Sequence, residues 1–220
     1  MTQLDLIELP AATKLRMPSE PILREAEIDG CYRWLLKRAW GAGPCILWCG
    51  LNPSTADGKR DDPTMLREIG FSYRWGFGSL VKVNVYPFIS SSPAAMRLWC
   101  KAWRGEKPDH LANGCPPWEA DRSALNAWLH NMDIVRAQLK LASVRVAAWG
   151  NGADREDLGE FLEEIAFDYE ADKPFMLDVP SILVDWQCLG TNADGSPIHT
   201  LARGVRRVSD DAKLIDWSPR

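Results

Sequence analysis

Three aspartates, Asp57, Asp61 and Asp62, lie close together in the sequence, directly after a short apolar segment. Neighbouring carboxylates raise one another's pKa by repulsion, and a carboxylate with a raised pKa is suited to activate a water molecule. The apolar segment, residues 45–50, has the composition of a buried strand, and glycine and proline end it. Because open α/β sheets bind ligands outside the carboxyl ends of their strands, we expect a site here. Besides the aspartates, its candidate residues are Gly50, Leu51, Asn52, Pro53, Ser54, Thr55 and Thr64.

Two later strand ends and one loop supply further candidates. Residues 79–86 are rich in β-branched side chains and predict a strand, in which Asn84 carries an amide suited to the edge of a planar base. Residues 144–149 predict a third strand. His199, in a loop rich in glycine and proline, has a ring N–H that can donate to a departing oxygen or nitrogen. In a parallel sheet these strand ends meet at one rim, where the remaining candidates are Trp149, Asn151 and Arg203.

Each candidate also has a structural interpretation. Asn52 can simply form a turn with the proline after it, and Ser54 or Asp62 can cap a helix. Trp149 at a strand end suits a core, and Arg203 with its arginine neighbours is typical of a solvated surface, although at a sheet rim it can hold phosphate. The aspartates also suit Mg²⁺ through oxygen ligands. No spacing fixes a metal, however, and we assign no metal or cofactor.

Composition limits the classes of protein to consider. The 220 residues suffice for one sizeable domain, and 46% hydrophobic content supports a core. The net charge is −4 and the pI about 5.5, so any contact with nucleic acid must be local. Six cysteines without a C-x-x-C pair predict reduced thiols in a cytoplasmic protein, and no segment predicts a membrane span. The sequence contains no P-loop, dinucleotide-binding or G-x-S-x-G motif.

The order of the predicted elements is that of an α/β fold with a parallel sheet. Residues 1–24 form an N-terminal arm, and residues 25–220 form a single α/β domain with a tryptophan-rich helical insertion near residues 90–118. The other predicted elements are a strand or short helix at residues 32–40, a strand at 45–50, helices at 64–75, 119–140 and 154–168, and strands at 79–86, 144–149 and 186–189.

Five short motifs stand out in the sequence: Gly50–Asp57, Asp61–Thr64, Val83–Asn84, Ala148–Gly150 and Gly195–His199. With them, roughly residues 26–205 resemble the bacterial and phage domain-of-unknown-function family DUF1643. The function of that family is obscure, so this resemblance implies little about mechanism.

A more distant resemblance is more informative. It rests, in chain order, on Gly50-Leu-Asn-Pro53, Val83-Asn84, Ala148-Trp-Gly-Asn151 and His199. These segments are similar to four motifs of the uracil-DNA glycosylase superfamily. The resemblance implies a three-layer α/β/α sandwich around a short, mainly parallel sheet. It also implies that Asn52 or a neighbouring aspartate positions a hydrolytic water, that Asn84 recognises a flipped base and that His199 stabilises the departing base anion.

The sequence departs from that superfamily at two places. Its final loop reads Ser196-Pro-Ile-His199 rather than His-Pro-Ser, and its acidic cluster has no counterpart. The expected function is a hydrolase that cleaves the N-glycosidic bond of a plain or modified base in DNA. The alternatives are an enzyme acting on a free nucleotide or modified-base intermediate, and a non-catalytic module that binds nucleic acid or another partner. We assign catalysis to Asn52, Asp57, Asp61, Asp62 and His199, and substrate binding to the other candidates.

Overall fold

The structure is a computed structural model that describes residues 15–19, 22–106, 124–168, 173–174 and 185–219. Most of the predicted N-terminal arm, and the predicted insertion beyond residue 106, lie outside the described residues. The elements are β1 (Leu23–Asp29), β2 (Tyr32–Ala39), β3 (Cys45–Gly50), α1 (Pro63–Arg74), β4 (Ser79–Asn84), α2 (Pro93–Trp103), α3 (Ala124–Leu141), β5 (Val144–Ala147), α4 (Arg155–Ala166), β6 (Phe167–Asp168), β7 (Lys173–Pro174), β8 (Trp186–Cys188), a short 3-10 helix (Gly204–Arg206) and β9 (Ile215–Trp217).

Seven strands form one sheet in the order β1, β2, β4, β3, β5, β8, β9, and β6 pairs with β7 separately. The contacts of β4 with β3, β3 with β5 and β5 with β8 are parallel. Those of β1 with β2, β2 with β4 and β8 with β9 are antiparallel. The predicted α/β class is confirmed, but the sheet is mixed, and only its centre is parallel. Strands β1 and β9 have no counterpart among the predicted elements, because exposed edge strands lack a continuous apolar signal.

The sheet separates two apolar cores. Successive side chains of a strand point to opposite faces, and in β3 Ile46 and Trp48 pack with α1, whereas Leu47 and Cys49 pack with α2, α3 and α4. Trp99 of α2 is fully buried in the second core. The first helix of the predicted insertion is therefore a core element.

Helix α1 begins directly at the acidic segment. Asp62 precedes it, and its Oδ1 accepts a hydrogen bond from the backbone N–H of Met65 at 2.8 Å, which caps the helix. The structure confirms the predicted helix at residues 64–75, in which Met65 and Ile69 are buried. Tyr73 does not share that buried face, because it is 39% exposed.

The order of the parallel strands reverses at β3. Strand β4 lies on one side of β3 and β5 on the other, and the helices that lead to them, α1 and α3, cover opposite faces of the sheet. The backbone N–H groups of Val85 and Ala148 donate to the carbonyl oxygens of Gly50 and Cys49 at 2.9 and 2.8 Å. The three strand ends therefore meet at one rim, as predicted. Doubly wound sheets bind ligands at such a point of reversal.

The structure bears on two further predictions, that no segment spans a membrane and that the cysteines are reduced. Among the helices that the structure describes, none is long and apolar enough to cross a membrane. Among the described residues, the cysteines with free thiols are Cys45, Cys49, Cys100 and Cys188. Cys31, however, is disulfide-bonded, so the prediction that all the cysteines are reduced is wrong at this position.

A buried ion pair holds the acidic loop against the sheet. Asp61 accepts hydrogen bonds from Arg38 Nε at 2.7 Å and from Arg24 Nε at 2.9 Å. Arg38 is completely buried and also donates to the backbone oxygen of Asp57 at 2.6 Å. A buried guanidinium needs a counter-charge. Asp61 therefore occupies a structural position between β1, β2 and the loop.

Replacing Asp61 should weaken the fold. We expect Asp61→Asn to lower the free energy of unfolding by about 3–5 kcal/mol, because it leaves the buried Arg38 without a carboxylate. The matched variant Asp57→Asn changes a partly exposed turn carboxylate and should leave the midpoint of urea denaturation nearly unchanged. Equal midpoints for the two variants would contradict the structural role of Asp61.

Candidate functional site

A pocket of about 400 Å³ opens at the carboxyl ends of β3, β4 and β5. Its walls come from the loop after β3, the first turns of α1, the segment after β5 and the loop before the 3-10 helix. We call it the rim pocket. Of the predicted site residues, it brings together Gly50, Leu51, Asn52, Ser54, Asp62, Thr64, Asn84, Trp149, Asn151 and His199.

The three predicted aspartates do not act together. Asp57 Oδ1 closes a turn by accepting from the backbone N–H groups of Lys59 and Arg60, each at 2.7 Å, and these bonds lower the pKa of Asp57. Asp61 faces two arginines away from the rim pocket, which leaves only Asp62 in its wall. Among the described residues, no group of three or more His, Cys, Asp and Glu side chains is placed to hold a metal ion. The other candidates outside the pocket are Pro53, Thr55 and Arg203.

Asn84 presents an unpaired amide to the rim pocket. The residue is 1% exposed, and neither Oδ1 nor Nδ2 has a hydrogen-bond partner among the described residues. Its backbone is held in place, because Asn131 Nδ2 donates to its carbonyl oxygen at 3.0 Å. A Cβ on Gly50 would come within 2.9 Å of Asn84 Oδ1, so the glycine permits this close packing. Asn84 therefore keeps both a donor and an acceptor for a ligand.

A buried ion pair lies beside Asn84. Lys82 of β4 and Glu68 of α1 are in contact through Nζ and Oε1 at 2.5 Å, and Thr200 donates to the same carboxylate oxygen at 3.2 Å. The second oxygen, Oε2, has no partner among the described residues, and burial raises the pKa of Glu68 while Lys82 opposes that rise. The sequence analysis misses both residues. The alternation of Lys82 and Asn84 with the apolar Val81 and Val83 is the signal that could have found Lys82.

Arg33 of β2 is a second cation of the rim pocket that is not among the residues predicted from the sequence. Its Nη1 donates to the backbone oxygen of Ala56 at 2.9 Å, whereas its buried Nε has no partner among the described residues. Burial lowers the pKa of Arg33 to about 10, although Asp62 and Glu68 oppose the effect. At neutral pH the rim pocket therefore contains a charged guanidinium.

His199 is a neutral donor. Its Nδ1 accepts a hydrogen bond from the backbone N–H of Leu201 at 3.0 Å, so its proton is on Nε2. Burial and then the charge of Lys82 lower the pKa of His199 to about 4, against the opposing effect of Asp62. The imidazole therefore stays uncharged at neutral pH and still offers one N–H.

Three of the candidates in the rim pocket also have structural roles. Asn52 Nδ2 donates to the backbone oxygen of Ser90 at 2.7 Å and thereby ties the loop after β3 to the segment after β4. Asp62 caps α1 through Oδ1, which leaves Oδ2 for other contacts. The ring of Trp149 packs edge-on against Trp186 and Trp217, with centroids 5.6 and 5.1 Å away, and this places it in the core. The structural interpretations of Asp62 as a helix cap and of Trp149 as a core residue are therefore confirmed, whereas Asn52 joins two loops rather than only forming a turn with the proline after it.

A profile of one protein family matches residues 33–201, which is well over half of the chain. The chain belongs to the family DUF1643, described as a protein of unknown function. The DUF1643 region contains every residue that lines the rim pocket, from Arg33 to His199. Searches of curated proteins and of solved structures found no match to the chain. The resemblance to the uracil-DNA glycosylase superfamily thus gains no support from these comparisons.

The half-buried His199 should make this DUF1643 protein sensitive to acid. Because the pKa of His199 is about 4 when folded and about 6.5 when unfolded, the unfolded state binds the extra proton between these values. Stability contributed by the neutral ring is therefore present above pH 6.5 and is lost as the pH falls toward 4. We expect His199→Gln to remove about 2–3 kcal/mol of this pH dependence, measured by urea denaturation across that range. Parallel pH profiles for wild type and variant would contradict the depressed pKa.

The ion pair should show strong coupling in a double-mutant cycle. Lys82→Met or Glu68→Leu alone leaves one buried charge and should each lower the free energy of unfolding by about 3–5 kcal/mol. The double variant removes both charges and should be clearly more stable than the sum of the single effects predicts. Unfolding by urea gives all four free energies, and simple additivity would show that the pair is not coupled.

Proposed function

We propose that this DUF1643 protein hydrolyses the N-glycosidic bond of a plain or modified base in DNA, with the base in the rim pocket. The observation that carries the proposal is the buried amide of Asn84, whose donor and acceptor both lack a partner among the described residues. An unpaired buried amide is costly unless a ligand satisfies it. The edge of a nucleobase offers an acceptor and a donor side by side, so it complements this side chain.

The leaving base is stabilised by two groups of the pocket. When the bond between C1′ of the sugar and the base nitrogen breaks, the electron pair stays on the base, which departs as an anion. His199 Nε2–H donates to this anion without first having to lose or gain a proton. The cation of Lys82 adds electrostatic stabilisation, which water screens weakly because the side chain is buried.

Asp62 activates the attacking water. Its Oδ1 is occupied by the cap of α1, so Oδ2 accepts a proton from water as the water oxygen bonds to C1′. The C1′ to nitrogen bond breaks in the same process, and the products are a sugar hydroxyl and the base anion, which takes a proton from solvent. Asn52 Oδ1 can orient the water, since only the Nδ2 of this side chain is engaged by the loop.

The finer fold assignment belongs to the same proposal. We infer a three-layer α/β/α sandwich of the uracil-DNA glycosylase type, in which β4, β3, β5 and β8 are the short parallel sheet. Apolar cores on both faces of the sheet support this inference. The position of the rim pocket at the reversal of strand order also supports it.

A free nucleotide is the second candidate substrate. The observation that favours it is the net charge of −4, because an acidic protein attracts a long polyanion weakly. A mononucleotide has fewer charges to accommodate and uses the same contacts with its base. With a free nucleotide as substrate, the reaction at C1′ is the same as with DNA, and only the part of the substrate beyond the nucleotide differs.

Base release measured by mass spectrometry tests the proposal. Wild-type protein is incubated with single- and double-stranded DNAs and with mononucleotides, each carrying plain or modified bases. Asp62→Asn keeps a helix cap but loses the proton acceptor, and it should slow release about 100-fold or more. Asn84→Ala should weaken release and reduce the discrimination between bases, because it removes the group that contacts the base edge.

Asp57→Asn serves as the matched control, because Asp57 lies in the same loop but outside the rim pocket. Its base release should equal that of the wild type. If the folded wild type releases no base from any substrate, the hydrolase proposal is wrong. Base binding that persists in that case, and that Asn84→Ala abolishes, would identify a non-catalytic binding module.

A further inference from the structure

A second cavity adjoins the rim pocket. It measures about 460 Å³ and lies along α2, so we call it the α2 groove. The two cavities have a common wall, because Leu51, Asn52, Ser90, Ser91 and Gly152 line both. A ligand seated in the rim pocket can therefore extend over this wall into the α2 groove.

Three cations of α2 line the groove. Arg97, Lys101 and Arg104 follow one another at intervals of four and three residues, which places them on one face of the helix. Pro93 and Ser92, at the start of α2, line the same groove. The amino end of a helix carries a partial positive charge, so it adds to the field of the cations.

The charge of Arg104 is already matched. Its Nε donates at 2.6 Å to Asp157, which is almost completely buried and also accepts from the hydroxyl of Tyr86 at 2.6 Å. Asp154 lies 3.8 Å from the same guanidinium. Arg104 therefore serves to hold α2 against the start of α4.

Arg97 and Lys101 have no such counter-charge. Within the part of the chain that the structure describes, no acidic side chain forms an ion pair with either of them. Both are exposed to the groove, where Ser90, Ser91 and Ser92 add polar groups. Arg97 and Lys101 thus lie without an ion pair in a groove whose three cations outnumber its two carboxylates, Asp154 and Asp157, within a protein whose overall charge is negative.

We propose that the α2 groove binds the phosphate group of the substrate whose base occupies the rim pocket, through Arg97 and Lys101. This inference rests on the proposed function. A guanidinium forms paired hydrogen bonds with phosphate oxygens, and an ammonium supplies a compact charge. The phosphate belongs either to a free mononucleotide or to a DNA backbone. Local cations of this kind explain how an acidic protein holds a phosphorylated substrate.

Calorimetric titration of the full-length protein tests the groove. The probes are inorganic phosphate, deoxynucleosides, their 5′-monophosphates and a single-stranded trinucleotide. The last three carry a base that the protein binds or, failing that, each of the common bases in turn. The monophosphate should bind about tenfold more tightly than its nucleoside. Arg97→Gln/Lys101→Gln should remove this difference and weaken binding of inorganic phosphate by about fivefold or more.

Lys59→Gln/Lys213→Gln is the matched control, because it also removes two exposed positive charges but lies outside both cavities. It should bind every probe as the wild type does. A monophosphate preference that survives in Arg97→Gln/Lys101→Gln would overturn the inference. So would a wild type with neither phosphate binding nor a preference for the monophosphate.

The probes also distinguish a DNA backbone from a free nucleotide as the source of the phosphate, and they test phosphate binding separately from hydrolysis. A trinucleotide that binds more tightly than the monophosphate, and that loses this advantage in Arg97→Gln/Lys101→Gln, identifies a DNA backbone. A monophosphate that binds more tightly than the trinucleotide identifies a free nucleotide. A preference for the monophosphate without base release would support phosphate binding in the α2 groove and refute the hydrolase proposal. Base release without a preference for the monophosphate would support the hydrolase proposal and refute phosphate binding in the groove.

Discussion

The geometry of the rim pocket depends on the buried ion pair between Glu68 and Lys82. This pair joins α1 to β4, and Thr200 joins the last loop to the same carboxylate. Three segments that are far apart in the sequence therefore meet at one charged contact. Two ions removed from water remain stable together only when their geometry is good, so each segment has one favourable position.

The same pair sets the electrostatics around it. The charge of Lys82 contributes to the low pKa of His199, and Glu68 opposes the effect of burial on Arg33. Neutral His199 and charged Arg33 thus lie beside the unpaired Asn84 in one small pocket, because fixed neighbours set the protonation states of the two ionisable groups. A pocket with this mixture suits a planar, polar ligand better than an apolar one.

The parts of the site that could be predicted from the sequence depend on local signals. An apolar segment that ends in Gly50 indicates a strand end, and an amide within an apolar strand marks Asn84 as a candidate site residue. Both signals are local and do not depend on the rest of the chain. Because strand ends of the parallel centre share a rim, these two residues and His199 could be placed together before any contact was known. The edge strands β1 and β9 have no such signal, so the mixed character of the sheet could not be predicted.

The residue roles that could not be predicted from the sequence depend on long-range contacts. Asp61 and Asp62 are neighbours in the sequence, yet one pairs with Arg38 of β2 and the other faces the rim pocket, and only the tertiary structure separates them. Glu68 and Arg33 enter the site from elements whose orientation depends on how α1 and β2 pack on the sheet. Arginine and glutamate side chains are usually solvated, so sequence alone gives no reason to select these two.

The wall between the two cavities contains two hydrogen bonds that join its loops. Asn52 Nδ2 donates to the backbone oxygen of Ser90, and the backbone N–H of Ser90 donates in turn to the carbonyl oxygen of Pro53 at 3.0 Å. The two loops are thus joined before any ligand arrives, and binding need not order them. Pre-organisation of this kind reduces the entropic cost of association. Small fragments that fill only one cavity should therefore bind measurably on their own, and linking two of them across the wall should combine their affinities.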